Sequence, residues 1–175
     1  MIEAAGIRRA VVDDGVDLGD SDVASCPAPA TIDPARLFGL PGSDGSPVMC
    51  VVGRVISFKH LRAGEGVSYN HTHHAAVDTR VALVSGGFGH GIPRALGNEA
   101  AVGIGGRLHP IVGRVAMDVC VVDIGEATVA EGAEVVYFGG HPAADALAEW
   151  ERITGWSPAE LVCGVGLRAA REEVP

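Results

Sequence analysis

Residues 66 to 76 read GVSYNHTHHAA and gather one of the chain's two tyrosines and three of its seven histidines. Phenols and imidazoles are the side chains that move protons in neutral water. A phenol, with a pKa of about 10, becomes a usable base only where neighbours stabilise its phenolate. If residues 67 to 73 are extended, Val67, Tyr69, His71 and His73 share one face, and Ser68, Asn70, Thr72 and His74 share the other. Tyr69 would then stand beside two imidazoles as a proton shuttle. Two other readings stay open. The run suits a solvated strand end, and His71 with His73 could ligate a metal with His90 or Asp118 as a third ligand. No Glu, Asp or Cys lies close in sequence to complete such a set, so no metal is assigned.

A second stretch, SGGFGHGIPR at residues 85 to 94, raises the question of a phosphate loop. Consecutive backbone amides can cradle an anion when a helix follows. No strong helix pattern follows here, and the Gly-Lys-Ser/Thr signature is missing. A turn with φ > 0, or a close approach of backbone, accounts for the glycines at lower cost.

The elements that must hold these residues are short and rich in valine. From Pro47 onward the runs VMCVVGRVISF, GVSYNHTH, TRVALVSGG, AAVGIGG, HPIVGRVAM, VCVVDIG and AEVVYFGG follow at spacings near ten residues, separated by Gly, Pro and Asp. That pattern predicts a mainly β, antiparallel barrel or sandwich, because βαβ units would need intervening helices. Near the end, Ala144, Leu147, Ala148 and Ile153 have helical spacing, with Gly155 placed to stop the helix. Ser157, Pro158 and Glu160 then form a capping-box start for a second short helix. Residues 1 to 46 differ: acidic, Gly-rich and interrupted by prolines, they read as an irregular arm preceding a domain at 47 to 175.

Composition bounds the function. The 175 residues suit one core-bearing domain, and 47% hydrophobic against 20% charged residues argues for a folded body. A net charge of −9 without a Lys/Arg cluster excludes nucleic acid and anionic membrane as partners. Cys26, Cys50, Cys120 and Cys163 form no Cys-x-x-Cys pair and read as buried, reduced thiols. Without a signal-peptide pattern or an apolar run of about 18 residues, a cytoplasmic location is the default. Lys59 is the single lysine, hence the single Schiff-base candidate.

Three segments in order carry a resemblance. RVISFKHLRAGEGVSYN, DTRVALVSGGFGHGIPRALGN and HPIVGRVAMDVCVVDIG resemble the C-terminal β-domain of alanine racemases over roughly residues 47 to 171. Members of that family typically carry AGE-x-VSYG, GYADG-x-PR and VGR-x-CMD stretches. The resemblance implies the β-barrel of that domain. It makes Tyr69 the acid/base residue that reaches across a dimer interface to a pyridoxal phosphate adduct, and it places Met117 and Asp118 at the partner's substrate-carboxylate region. Departures accompany it. Phe88 replaces the tyrosine of the GYADG stretch, and His90 stands where its Asp does. His73 takes the place of a second tyrosine, and Asn70 and His71 replace small residues, so the pocket reads as repolarised.

The resemblance also implies a (β/α)8 barrel bearing the cofactor's lysine, which residues 1 to 46 are too short to supply. Residues 21 to 40 weakly resemble that barrel's last fragment, with Ile32 near the position of the arginine that faces the pyridine nitrogen. Lys59 lies where the family has variable, exposed residues. The chain by itself is therefore expected to hold no pyridoxal phosphate, which enters only if a separate barrel protein supplies it.

Three functions follow as expectations. The first is a small isomerase, cyclase or lyase of specialised metabolism that works without pyridoxal phosphate on a small-molecule substrate. In it Tyr69, His73 and Asp118 are catalytic, and His71, Phe88, His90 and Met117 bind substrate. The second is a detached racemase half supplying Tyr69 in trans, and the third a non-catalytic scaffold. A face once covered by a barrel also predicts self-association, most simply as a homodimer.

Overall fold

The computed structural model describes residues 33–166 and 168–172. Two compact units divide the chain, Met1–Ser46 and Pro47–Pro175. Within the first, the described residues contain one short helix, α1 (Pro34–Phe38). The Asp33 side chain accepts from the Ala35 amide at 2.9 Å, and Gly39 ends the helix in the left-handed region. Cys26 and Ile32 lie outside the described residues.

The second unit is mainly β. Its strands are β1 (Val51–Leu61), β2 (Gly66–Val67), β3 (His73–His74), β4 (Thr79–Ser85), β5 (Ala101–Ile104), β6 (Arg107–Pro110), β7 (Val119–Asp123) and β8 (Glu134–Phe138), followed by α2 (Ala146–Thr154) and α3 (Pro158–Gly164). Six strands form one antiparallel sheet in the order β6-β5-β8-β1-β4-β7, and β2 pairs only with β3. The sheet curls into a half-barrel until its two edges meet at the Ile111–Val122 bridge. Here the Val112 amide donates to the Val121 carbonyl at 2.8 Å. The concave side holds the core, in which Val84, Val102, Val122, Val135, Phe138 and Trp150 are fully buried.

A bulge gives β1 two allegiances. Val55 pairs with Val84, but Ser57 pairs with Leu83, so Ile56 is an extra residue and the inward parity switches. Val55 lies in the core before the bulge, and Phe58 packs against it afterwards. Ser57, Lys59 and Leu61 consequently turn to the other side. There Leu61 joins Val67, Ala75, Val81 and Val112 in a second apolar cluster beneath the β2–β3 hairpin.

The helices form where expected, but α2 begins after Ala144, Ala148 is exposed, and Leu147 and Trp150 make the buried face. Trp150 of α2 meets Phe138 edge to face, with ring centroids 5.3 Å apart, and Gly155 caps the helix with φ 72°. In α3, Ser157 and Glu160 form a complete capping box. The segment HPIVGRVAM departs from the expected strand, since β6 stops at Pro110 and residues 111 to 118 are irregular apart from the edge bridge. The thiols also depart from expectation. Cys120 is buried, whereas Cys50 and Cys163 are exposed, the first just ahead of β1 and the second on the outer face of α3.

Candidate active site

The expected strand from residue 67 to 73 does not form. Pairing is confined to Gly66–His74 and Val67–His73, and between them the chain makes an arch with a 3-10 turn at Tyr69–His71. Ser68 (φ 62°, ψ −176°), Asn70 (φ 62°) and His71 (φ 46°) all have positive φ, a region costly for L-residues other than Gly, Asn and Asp. The alternation that was to bring His71 and His73 beside Tyr69 is broken on both sides of the tyrosine. The His71 ring instead lies edge to face with His74, centroids 6.3 Å apart. Tyr69 stands 70% exposed at the crest. No side chain among the described residues hydrogen-bonds its hydroxyl.

Side chains that carry no acid/base chemistry brace the arch. The Ser68 hydroxyl donates to the Arg114 carbonyl at 2.7 Å. Asn98, itself at φ 67°, accepts from the Gly113 amide at 2.6 Å and donates to the Thr72 hydroxyl at 3.3 Å. Gly113 has φ 74°, and a Cβ there would come within 2.5 Å of the Ser68 Cβ, so the close approach needs glycine on both counts.

The other candidates assemble around the glycine-rich turn. The Gly86 and Gly89 amides donate to the Asp118 and Met117 carbonyls at 2.9 and 2.8 Å, and the Phe88 amide to Ala116 at 2.9 Å. These bonds zip the turn onto residues 116 to 118. A Cβ on Gly87 would strike the Ala116 oxygen at 2.3 Å, so close backbone approach, rather than an anion cradle, explains that glycine. Phe88 and Met117 come out together at the surface, 39% and 52% exposed, with the Arg94 guanidinium 5.2 Å above the Phe88 ring. Asp118 is bridged by Arg168 at 2.7 Å. His90 is partly buried, and its Nδ1 has no hydrogen-bond partner among the described residues.

Beneath the turn lies a buried polar pair. The Tyr137 hydroxyl donates to the Ser85 carbonyl at 2.8 Å, and the Cys120 thiol to the Gly86 carbonyl at 3.0 Å. Burial pushes the Cys120 pKa up to about 12 and that of Tyr137 well above its usual value. Both groups are therefore neutral props for the turn.

The structure thus brings Phe88, Met117 and Asp118 together at the turn that also carries the partly buried His90. It sets Tyr69 and His71 on a separate arch, with His73 on β3; hydrogen bonds fasten the arch to Arg114 and to Asn98, which in turn holds Gly113. Arg94, Arg114, Asn98 and Arg168 escaped the sequence reading, although Arg94, Asn98 and Arg114 stand in the very stretches that carried the resemblance. Among the described residues, no cluster of three or more His, Cys, Asp or Glu is arranged to hold a metal.

Residues 48–173 match the model of the alanine racemase C-terminal domain. The chain belongs to the alanine racemase C-terminal domain family. The alanine racemase of Frankia casuarinae is 39% identical over 147 residues, covering 82% of this chain and 36% of that enzyme. The Mycolicibacterium vanbaalenii enzyme is 45% identical over 109 residues, or 59% of this chain and 28% of its own length. Among solved structures, alanine racemase from Acinetobacter baumannii superposes with a TM-score of 0.68 at 35% identity, over 74% of this chain and 35% of that one. The Bartonella henselae alanine racemase with covalently bound pyridoxal phosphate gives a TM-score of 0.72 at 26% identity, over 79% of this chain and 40% of that one. This member of the alanine racemase C-terminal domain family thus spans little more than a third of the relatives it matches.

Proposed function

We propose that this domain supplies Tyr69 as acid/base residue to a pyridoxal phosphate-bearing barrel carried by another body, so that the two together make an amino-acid racemase site. The observation that carries the reading is the state of Tyr69. It is lifted to 70% exposure on a braced arch of unfavourable backbone, and among the described residues nothing hydrogen-bonds its hydroxyl. Such geometry positions a phenol without giving it surroundings, and the groups that would stabilise its phenolate must come from outside. The same reasoning argues against the free-standing isomerase or cyclase of specialised metabolism, which needs Tyr69 tuned by its own neighbours.

The cofactor does not fit the described residues alone. Lys59, the only lysine, stands exposed on β1 at the rim of a cleft with no arginine or carboxylate in its lining to face a pyridine nitrogen. The chemistry of pyridoxal phosphate therefore belongs to the partner. This chain's part is to present the Tyr69 hydroxyl, to offer the Phe88–Met117 surface as docking wall, and to hold Asp118 against Arg168 at its edge.

The test is complementation. The 175-residue protein, co-expressed with the barrel portion of the Frankia casuarinae alanine racemase, is expected to restore alanine racemisation that neither part shows alone. A chimera carrying residues 47–175 in place of the matching part of that enzyme serves if the barrel alone is insoluble. Tyr69→Phe should lower the rate by roughly 10² to 10⁴ with the fold unchanged by circular dichroism. Turnover by the unaccompanied protein, or a folded chimera indifferent to Tyr69→Phe, refutes the reading.

A further inference from the structure

The proposed function leaves His71 and Lys59 without a role, yet the fold brings them to one place. Between the β2–β3 hairpin and the outer face of β1, β4 and β7 lies a cleft of ≈ 440 Å³. That is a ligand-sized space, within the roughly 300–1,000 Å³ of small-molecule sites. The bulge in β1 aims Ser57 and Lys59 at it. The register then sets Ser57 beside Leu83 and Lys59 beside Val81, with Val121 next to Leu83. Val81, Leu83 and Val121 thereby form an apolar floor, while Lys59, Ser57 and His71 stand on the lining.

His71 is seated there by design of the backbone. A Cβ on Gly66 would lie 2.7 Å from the His71 Cβ and Cγ and 3.0 Å from its Nδ1, so the glycine leaves room for the histidine side chain that occupies its space. His71 also accepts a positive φ of 46° to reach this seat. Among the described residues, no carboxylate lines the cleft. The nearest in register, Asp123, uses Oδ1 to accept from the Thr79 hydroxyl at 2.6 Å and the Gly125 amide at 3.0 Å. Donors without a counter-charge, in a chain of net charge −9, stand over a floor that favours aliphatic carbon.

We propose that this cleft is a binding site for a small aliphatic carboxylate. Its carboxylate would be held by the Lys59 ammonium, the His71 ring N–H and the Ser57 hydroxyl, and its tail would lie on Val81, Leu83 and Val121. An inorganic phosphate would satisfy the cations but leave the floor bare, and an alcohol of equal length would do the reverse. The site is independent of the racemase reading, because it involves neither Tyr69 nor a barrel.

The experiment is an amide chemical-shift titration of the 175-residue protein with butyrate, n-butanol and inorganic phosphate in parallel. Butyrate should give saturable shifts at residues 57–59, 66–68 and 71, with a dissociation constant on the order of 1 mM for so few atoms. Butanol and phosphate should each bind at least tenfold more weakly. Lys59→Met and His71→Asn, the latter chosen because asparagine tolerates positive φ, should each weaken butyrate at least tenfold. Gly66→Ala should do so by displacing the ring. His60→Asn, one residue along β1 and outside the cleft, should leave binding unchanged. Absence of saturable butyrate shifts at these amides, equal affinity in Lys59→Met with retained fold, or tighter binding of phosphate than of butyrate would each overturn the assignment.

Discussion

Tyr69 owes its placement to residues that never touch a substrate. Ser68 and Asn98 fasten the two feet of the arch to residues 113 and 114, and three positive-φ residues hold a shape that a relaxed chain abandons. Removing the Asn98 amide strips the Gly113 N–H and the Thr72 hydroxyl of their partner and leaves a Cβ-bearing residue without its local compensation for φ 67°. Asn98→Ala is expected to cost roughly 1–3 kcal/mol, read as a lower urea midpoint. It should also lower racemisation in the complemented system more than Asn98→Asp, which keeps the acceptor for Gly113. At this scale the sequence was partly legible. Tyr69, Met117 and Asp118 were legible as candidates from their motifs, and the structure sets the first at the crest of the arch and the other two against the glycine-rich turn. The histidine alignment was not, because strand alternation was extended through Asn70, which stands where relatives carry the glycine of their VSYG stretch. An asparagine at a glycine position is itself the signal of a left-handed residue and a broken strand.

The elements divide into those whose local signals agree with their packing and those ruled by tertiary contacts. α2 and α3 belong to the first group, since spacing, Gly155 and the Ser157–Glu160 box all act within a few residues. The long strands do too, because valine-rich runs bounded by Gly and Asp have few other structures available. The β1 bulge and the early stop of β6 were hidden, as both are set by pairing with distant strands. A pH dependence follows for the helical end. Hydrogen bonds from the Ser157 hydroxyl and amide lower the Glu160 pKa, and Arg152 lowers that of Glu149. Since the folded values lie below the unfolded ones, their stabilisation is full above the ordinary glutamate range and fades as pH falls through the folded values. The melting temperature should therefore drop on acidification below about pH 5, and Glu160→Gln should flatten that drop while lowering stability at neutral pH. A steeper acid loss in Glu160→Gln than in the parent would contradict the assignment of this box.

At the scale of the whole molecule, the six-stranded sheet brings its two edges to one bridge, Ile111–Val122, which leaves less open edge for strand addition and more of any association to side chains. The side chains available are apolar and bunched: Phe88 and Met117 rise together from two segments zipped by backbone hydrogen bonds, with Arg94 spread over the ring. A surface of that kind gains by being covered, and a net charge of −9 opposes non-specific clumping, so a defined partner is the cheaper solution. Alone, the protein is expected to pair with itself, giving by light scattering about twice its 17.9 kDa mass at tens of micromolar. Adding a racemase barrel should replace that self-pair with a mixed complex, because both use the Phe88–Met117 surface. Phe88→Asp then becomes the deciding variant. The ring is 39% exposed and contributes little to the core, so the fold should survive while self-pairing and barrel binding are lost together. If Phe88→Asp abolishes self-pairing but leaves complementation intact, the two partners use different faces, and the barrel must reach Tyr69 from the side of the arch instead.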